Sequence, residues 1–214
     1  TYTLPDYQTQ CGCTDIMMHT MERYFNMSEN MELTDGISEA LIKTVMKHSK
    51  ILKEHPDCYE SRAEVMWASS LSHNGLTGCG TDGGDWACHQ LEHEIGGMFD
   101  VAHGAGLAAV WGSWARYVYK ARPERFAKFA RNIFDIQETD DEKAAVAGIE
   151  AMENYYQSVG MPTSLCELGI HATEEQIKEM ADKCSFCGKR TVGVMKKIGA
   201  PEAAEIYRMA NDKS

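Results

Sequence analysis

The chain has 214 residues with 32 acidic and 21 basic side chains, giving a formal net charge of −11, and its length suits one large helical domain or two small ones. This acidic balance argues against DNA, RNA or an anionic membrane surface as a partner. No run of 18 apolar residues predicts a transmembrane helix, and the segment Thr1–Pro5 lacks both a starting Met and signal-peptide features, so we expect a cytoplasmic protein whose sequence reads like the middle of a longer chain.

Helical periodicity dominates the sequence. Apolar side chains recur at helical spacing over residues 37–52, behind the cap candidates Thr34 and Asp35. Three capping-box patterns predict the starts of further helices, at Ser61, Thr139 and Thr173. We expect the helix from Ser61 to end at the Asn-Gly pair 74–75, and two more helices to cover residues 123–134 and 202–211.

Alternating strand patterns are almost absent, so we predict an all-α fold, a multi-helix bundle of seven to nine helices. One helical metal-binding domain would cover residues 1–214. The break at Gly160-Met-Pro marks the point where a main bundle, 1–160, would separate from a small helical cap, 161–214.

The glycine-rich segment 75–84 falls between two helical stretches. No strand followed by G-x-G-x-x-G and no phosphate-binding P-loop pattern is present. We therefore interpret these glycines as tight turns with positive φ angles rather than as a nucleotide site.

Eight cysteines occur without a secretion signal, which favours free thiols over disulfides. The pair Cys184-x-x-Cys187 has no second CxxC partner and no preceding strand. We interpret it as two thiols packed in or beside a helix.

Asp15 and His19 are spaced i, i+4, so on a helix both side chains emerge on one face, one turn apart. A carboxylate and an imidazole at that spacing can share one metal ion. The pair alone also fits an ordinary contact on a helix surface.

His89 and His93 repeat the i, i+4 spacing, and His103 follows just before a Gly-x-Gly sequence. The pattern is similar to the H-E-x-x-H of metalloproteases, but Gln90 stands where that mechanism needs its Glu base. Spacing alone leaves a metal site and a packing role both open for these histidines.

The remaining histidines and the tryptophans receive structural assignments. We expect His48 to be a hydrogen-bonded core residue, His55 and His73 to lie near helix C-termini, and His171 to lie in a turn. Core packing is the default for the four tryptophans, although they could shape a pocket: Trp67, Trp86, Trp111 and Trp114.

From Thr1 to about Ala210 the chain resembles the C-terminal half of the iron-containing, or group III, alcohol dehydrogenases, and within them the butanol dehydrogenase-like enzymes. The resemblance is carried by short motifs spread over nearly the whole chain: YTLP at 2–5, D-x3-H at 15–19, WAS at 67–69, NGLTG at 74–78, GGDW at 83–86, H-x3-HE at 89–94, FDV-x-HGAGLA at 99–108 and LGI at 168–170.

This resemblance implies one divalent metal held by Asp15, His19, His89 and His103, with His93 as an additional active-site histidine. The ion would be Fe²⁺ or Zn²⁺, with Ni²⁺ and Mn²⁺ also compatible with the ligand set. The metal would assist hydride transfer between a primary alcohol or aldehyde and NADPH or NADH.

The resemblance also implies an N-terminal nucleotide-binding domain that lies outside this sequence, and a homodimer for the intact enzyme. We therefore expect no cofactor site, and no dehydrogenase activity, in these 214 residues alone.

Two other interpretations compete. An HD-type metal-dependent hydrolase is also helical and uses His and Asp ligands, but it needs an adjacent His-Asp dipeptide, which this sequence lacks. A non-catalytic helical module with a purely structural ion remains open, and a closed ligand shell would distinguish it from a catalytic centre.

Overall fold

The computed structural model describes residues 1–212, and nine α-helices account for most of them. In chain order they are α1 Asp6–Tyr24, α2 Glu32–Glu54, α3 Tyr59–His73, α4 Ala87–Phe99, α5 His103–Val118, α6 Pro123–Phe134, α7 Asp141–Ser158, α8 Glu174–Cys184 and α9 Ala200–Asn211. Within this range the extended structure amounts to one antiparallel bridge between Val192 and Ile198. The predicted all-α class is confirmed.

Helix α5 is the centre of the bundle. From Gly104 to Ala115 all its residues are buried, and the helix contacts α1, α4, α7 and α9. One hydrophobic cluster runs from Cys11 on α1 to Ala210 on α9. The division near Gly160, where φ is +82°, stays a prediction.

Two glycines let α5 approach its neighbours closely. A Cβ atom at Gly104 would overlap the main-chain carbonyl of Cys11 on α1, and one at Gly106 would overlap the side chain of Glu92 on α4. The lack of a side chain at these positions brings α1, α4 and the first turn of α5 together. This contact positions the candidate site.

Several helix starts differ from the sequence-based predictions. Helix α2 begins at Glu32, ahead of Thr34 and Asp35, and Asp35 is instead buried in an ion pair. Ser61 is inside α3, where its hydroxyl is 2.9 Å from His48 Nδ1, so the capping box predicted there is wrong. Asp140, not Thr139, caps α7. The capping box at Thr173 is confirmed, as is the helix over 123–134.

All eight cysteines are free thiols. Cys184 is buried at the end of α8, and Cys187 is exposed. No helix within residues 1–212 has the length and apolar character needed to cross a bilayer.

Candidate metal centre

Three helices bring the predicted ligands to one place, which we call the Asp15 cluster: Asp15, His19, His89 and His103. Asp15 and His19 lie on α1, His89 lies on α4, and His103 is the first residue of α5. His89 is buried, whereas the side chains of Asp15 and His103 are 26% and 42% exposed. The cluster therefore reaches from the core to the surface.

One carboxylate oxygen is the common neighbour of all three imidazoles. Asp15 Oδ1 is 3.6 Å from His19 Nε2, 3.5 Å from His89 Nε2 and 3.4 Å from His103 Nε2. These separations exceed those of good N–H···O hydrogen bonds. They match ligands that surround an ion, because two ligands each about 2.1 Å from one tetrahedral ion lie about 3.4 Å apart.

Three polar side-chain atoms of the cluster have no hydrogen-bond partner among the described residues. Asp15 Oδ1, His19 Nδ1 and His89 Nε2 are all buried and unpaired. Buried polar atoms are normally paired, so three unpaired atoms in one cluster call for an explanation. The donor set fits a divalent metal, which would satisfy Asp15 Oδ1 and His89 Nε2 together.

Two buried glutamates hold the outer nitrogens of two of these imidazoles. Glu22 Oε2 is 2.5 Å from His89 Nδ1, and Glu22 Oε1 accepts the His89 backbone N–H at 3.1 Å. Glu92 pairs in the same way with His103 Nδ1. A carboxylate on Nδ1 fixes the tautomer that leaves Nε2 free for an ion. Neither glutamate was among the predicted site residues, although Glu22 lies three residues after His19 and Glu92 three residues after His89.

The carboxylates of Asp15, Glu22 and Glu92 favour the protonated forms of His89 and His103 when no ion is bound. Burial disfavours the charged form of His89, but Asp15 and Glu22 outweigh it and raise the pKa to about 9. Asp15, followed by Glu92, raises the pKa of His103 to about 10. A divalent ion would have to displace these protons, so metal binding would release protons.

The pKa values of Asp15 and His19 are lowered instead of raised. Burial alone would raise the pKa of Asp15, but the imidazoles of His103, His89 and His19 hold it far below its usual range. Burial, assisted by the nearby charges of His89, His73 and Arg23, lowers the pKa of His19 to about 4 despite Asp15. The cluster thus combines a strong anionic ligand with an imidazole that stays neutral.

His73, predicted only to lie near a helix C-terminus, is the last residue of α3 and also joins the site. Its Nε2 is 3.5 Å from Asp15 Oδ2, and its ring centroid is 3.9 Å from that of His19. No local spacing signals this contact, since His73 lies 58 positions from Asp15 and on another helix. Only the packing of α3 against α1 creates it.

Trp86 and Arg23 form one wall of the site. The Trp86 ring centroid lies 5.3 Å from that of His19 and 5.4 Å from that of His89, and the Arg23 guanidinium is 4.9 Å from the indole centroid. Trp86 is therefore half-buried against the imidazoles of the site, whereas Trp111 and Trp114 pack in the core. Trp67 is exposed.

His93 lies beside the Asp15 cluster and not inside it. It is exposed on α4, with its ring centroid 5.7 Å from that of His103 and 6.2 Å from that of His89. The structure therefore brings His93 to the open side of the site, and its role in proton transfer stays a prediction.

The glycine-rich segment forms turns, as expected. Gly75, Gly80, Gly83 and Gly84 all have positive φ angles. Asp85 follows them, buried, and accepts hydrogen bonds from the backbone N–H groups of Val194 and Met195 at 2.8 and 2.9 Å. The segment thus fixes the start of α4 against the C-terminal region.

Comparison with known proteins assigns the chain to a family. The family model of the Fe-containing alcohol dehydrogenase family, C-terminal, matches residues 9–210. The chain is 37% identical over 210 residues to NADH-dependent butanol dehydrogenase A of Clostridium acetobutylicum, covering 97% of this chain and 53% of that protein. It is 31% identical to the NADPH-dependent aldehyde reductase YqhD of Escherichia coli, over 98% of this chain and 54% of that protein.

Solved structures give the same result. The crystal structure of NADH-dependent butanol dehydrogenase A from Thermotoga maritima superposes with a TM-score of 0.91 at 36% identity, covering 98% of this chain and 53% of that one. The chain spans about half the length of the curated relatives that it matches.

Proposed function

We propose, from the premise that this chain belongs to the Fe-containing alcohol dehydrogenase family, that it supplies the metal-binding part of an NAD(P)H-dependent enzyme. The enzyme would interconvert primary alcohols, such as butanol, and aldehydes. The observation that carries the proposal is the approach of three imidazole Nε2 atoms to within 3.4–3.6 Å of one unpaired Asp15 oxygen.

Asp15, His19, His89 and His103 would hold the ion. When bound, it would act as a Lewis acid on the substrate oxygen while the nicotinamide carries the hydride. Glu22 and Glu92 support this role, because they hold His89 and His103 in the orientation that presents Nε2 to the ion. The ligand set suits Fe²⁺ or Zn²⁺, and also accommodates Ni²⁺ or Mn²⁺.

The exposure of the cluster favours a catalytic over a purely structural ion. A structural site is closed by its ligands, whereas His103 and Asp15 are both open to solvent on one side. His93 lies on that side, and we propose that it carries the alcohol proton towards solvent.

The rest of the enzyme is proposed from the relatives. A nucleotide-binding domain N-terminal to this one would bind NADH or NADPH, and the intact protein would be a homodimer. Residues 1–214 would form its helical domain and would be inactive alone, since no dinucleotide fingerprint occurs in the sequence.

The metal centre can be tested on the chain itself. After native purification, elemental analysis should find one tightly held ion in the wild type, none in His89→Ala and an unchanged content in the control His55→Ala, whose side chain is exposed and remote from Asp15. Equal metal in all three proteins would remove the assignment.

The role of His93 needs the longer protein with its cofactor domain. There, His93→Ala should keep the metal but lower kcat by up to about 100-fold, the lower end of the contribution of positioned proton transfer. Loss of the metal would make His93 a ligand instead, and an unchanged kcat and pH profile would make it a bystander.

A further inference from the structure

The two oxygens of Asp15 face different sets of histidines. Ligand atoms of Asp15, His89 and His103 lie within 4.8 Å of one another, and so do ligand atoms of Asp15, His19 and His73. Asp15 Oδ1 faces the first set, and Asp15 Oδ2 faces His73. The carboxylate is therefore placed as a bridge between two groups of nitrogen ligands.

His73 is oriented as a metal ligand. Its Nδ1 is 3.0 Å from the backbone carbonyl of Ser69 and 2.7 Å from the hydroxyl of Ser72, whose own proton goes to the Ser69 carbonyl. In the tautomer in which Nδ1 donates to the Ser69 carbonyl, Nε2 of the neutral ring carries the lone pair. A backbone carbonyl on Nδ1 is a common outer partner of a metal-bound histidine.

That lone pair points towards an acceptor. His73 Nε2 and Asp15 Oδ2 are 3.5 Å apart, so in the neutral ring two electron-rich atoms face each other without a proton between them. A cation between the two atoms would turn this repulsion into attraction.

His19 supplies the third ligand. Its ring lies against that of His73, and its Nδ1 is buried without a partner among the described residues. Arg23 fixes this arrangement, because its Nη1 amino group donates to the His19 carbonyl at 3.1 Å and to the Ser72 carbonyl at 2.5 Å. The end of α3 is thus tied to α1 beside the cluster.

We propose that Asp15 bridges two divalent-cation positions, the second being formed by Asp15 Oδ2, His19 and His73. The inference rests on the proposed metal centre, with His19 completing that centre while one ion is bound and moving to the second position when two are bound. Bridged two-metal sites hold ions roughly 3.5–4 Å apart. Two imidazoles and a carboxylate select borderline ions such as Zn²⁺ or Co²⁺ over Mg²⁺.

The second ion would bind more weakly than the first. His73 is 40% exposed, whereas His89 is buried, so the second position exchanges more readily with solvent. Repulsion between two dications adds to the difference. The carboxylate of Asp15 between the two positions, together with Glu22 and Glu92 beside the first, offsets part of that repulsion.

Titration of the metal-free chain with Co²⁺, followed by visible absorption and by equilibrium dialysis, tests the proposal. The wild type should take up two equivalents, the second at least about tenfold more weakly. His73→Phe keeps a ring against His19 but has no lone pair, so it should take up one equivalent with unchanged affinity. His55→Ala should behave as the wild type, and excess Mg²⁺ should not compete.

A single equivalent in the wild type, or two in His73→Phe, would overturn the proposal. His73→Gln, which retains a polar side chain at the helix end, must also lose the second equivalent. The proposed function is tested independently, because it predicts that His89→Ala loses the tightly bound ion. If the wild type binds only one ion, tightly and in a way that depends on His89, the proposed function stands and the proposal of a second position is rejected.

Discussion

Two clusters of buried charge flank α1, and they differ in how their polar atoms are satisfied. The first is the Asp15 cluster, with its unpaired oxygen and nitrogen atoms. The second, which we call the Asp35 cluster, consists of Asp35 on α2 with Arg125 and Lys128 on α6. Arg125 donates to both Asp35 oxygens at 2.5 Å and to the Tyr24 carbonyl at 2.7 Å, and Lys128 donates to Asp35 Oδ2 at 2.5 Å.

We interpret this difference as one between a structural cluster and a cluster that binds a ligand. The Asp35 cluster pairs its charges within the chain and needs no ligand. The Asp15 cluster holds one carboxylate oxygen among three imidazole nitrogens without completing a hydrogen bond to any of them. Because leaving buried polar atoms unpaired costs free energy, such a cluster persists where a ligand completes it.

The largest expected effect comes from comparing one disruptive substitution in each cluster for its effect on stability and on metal content. Arg125→Met should lower the free energy of unfolding by about 3 kcal/mol, the lower end of the range for breaking a buried ion pair, because Lys128 remains. Its metal content should stay that of the wild type. His89→Ala should lose the metal, yet cost the metal-free protein less stability than Arg125→Met.

Urea unfolding of the metal-free proteins and elemental analysis of the native ones measure both quantities. If Arg125→Met loses its metal while remaining folded, or if His89→Ala is the less stable of the two, the division into structural and functional clusters is wrong.

A smaller effect is expected from Glu22→Gln. Glutamine keeps the shape of the side chain but removes the charge that holds His89 Nδ1. Replacement of such an outer partner weakens metal binding by roughly 10–100-fold. Competition with a chelating dye gives the dissociation constant, and Glu64→Gln on the exposed face of α3 is the matched control. Equal affinities in the two variants would mean that Glu22 serves packing alone.

The smallest effect is the acid sensitivity of the Asp35 cluster. Burial would raise the pKa of Asp35, but Arg125 and Lys128 outweigh it and hold the pKa below its usual value. The cluster therefore stabilises the fold fully above the pKa of the unfolded chain, near 3.8, and loses that contribution as the pH falls through the lower folded value.

The measurement is the free energy of unfolding of the wild type and of Asp35→Asn between about pH 6 and pH 2. The wild type should lose more stability than the variant on acidification. Parallel curves would show that Asp35 has the same pKa folded and unfolded.

The sequence predicted the parts of the site that depend on local spacing. Asp15 and His19 lie one helical turn apart, so their common face followed from helical geometry. His89, near the start of α4, and His103, the first residue of α5, were added to the site by the resemblance to the family motifs. The structure brings all four together. Whether they hold a metal stays a prediction.

The parts that depend on distant packing were missed. His73 reaches Asp15 only because α3 packs on α1, and the pairing of Glu22 with His89 joins α1 to α4. Helix starts also shifted by one to three residues, since hydroxyls such as that of Ser61 bond across helices instead of capping their own. Local patterns carry no information on these choices.

The contact between α1 and α5 restricts where this site can vary. A methyl group at Gly104 would meet main-chain atoms of Cys11, which cannot rotate away, so α5 would have to move and would carry His103 with it. Substitutions that change the site but preserve the packing of α1 on α5 therefore have to occur at other positions. The open positions are His73 at the end of α3 and Trp86 before α4, where side chains border the site at the protein surface. Diversification of substrate or metal preference should concentrate on that rim, while the first turn of α5 stays invariant.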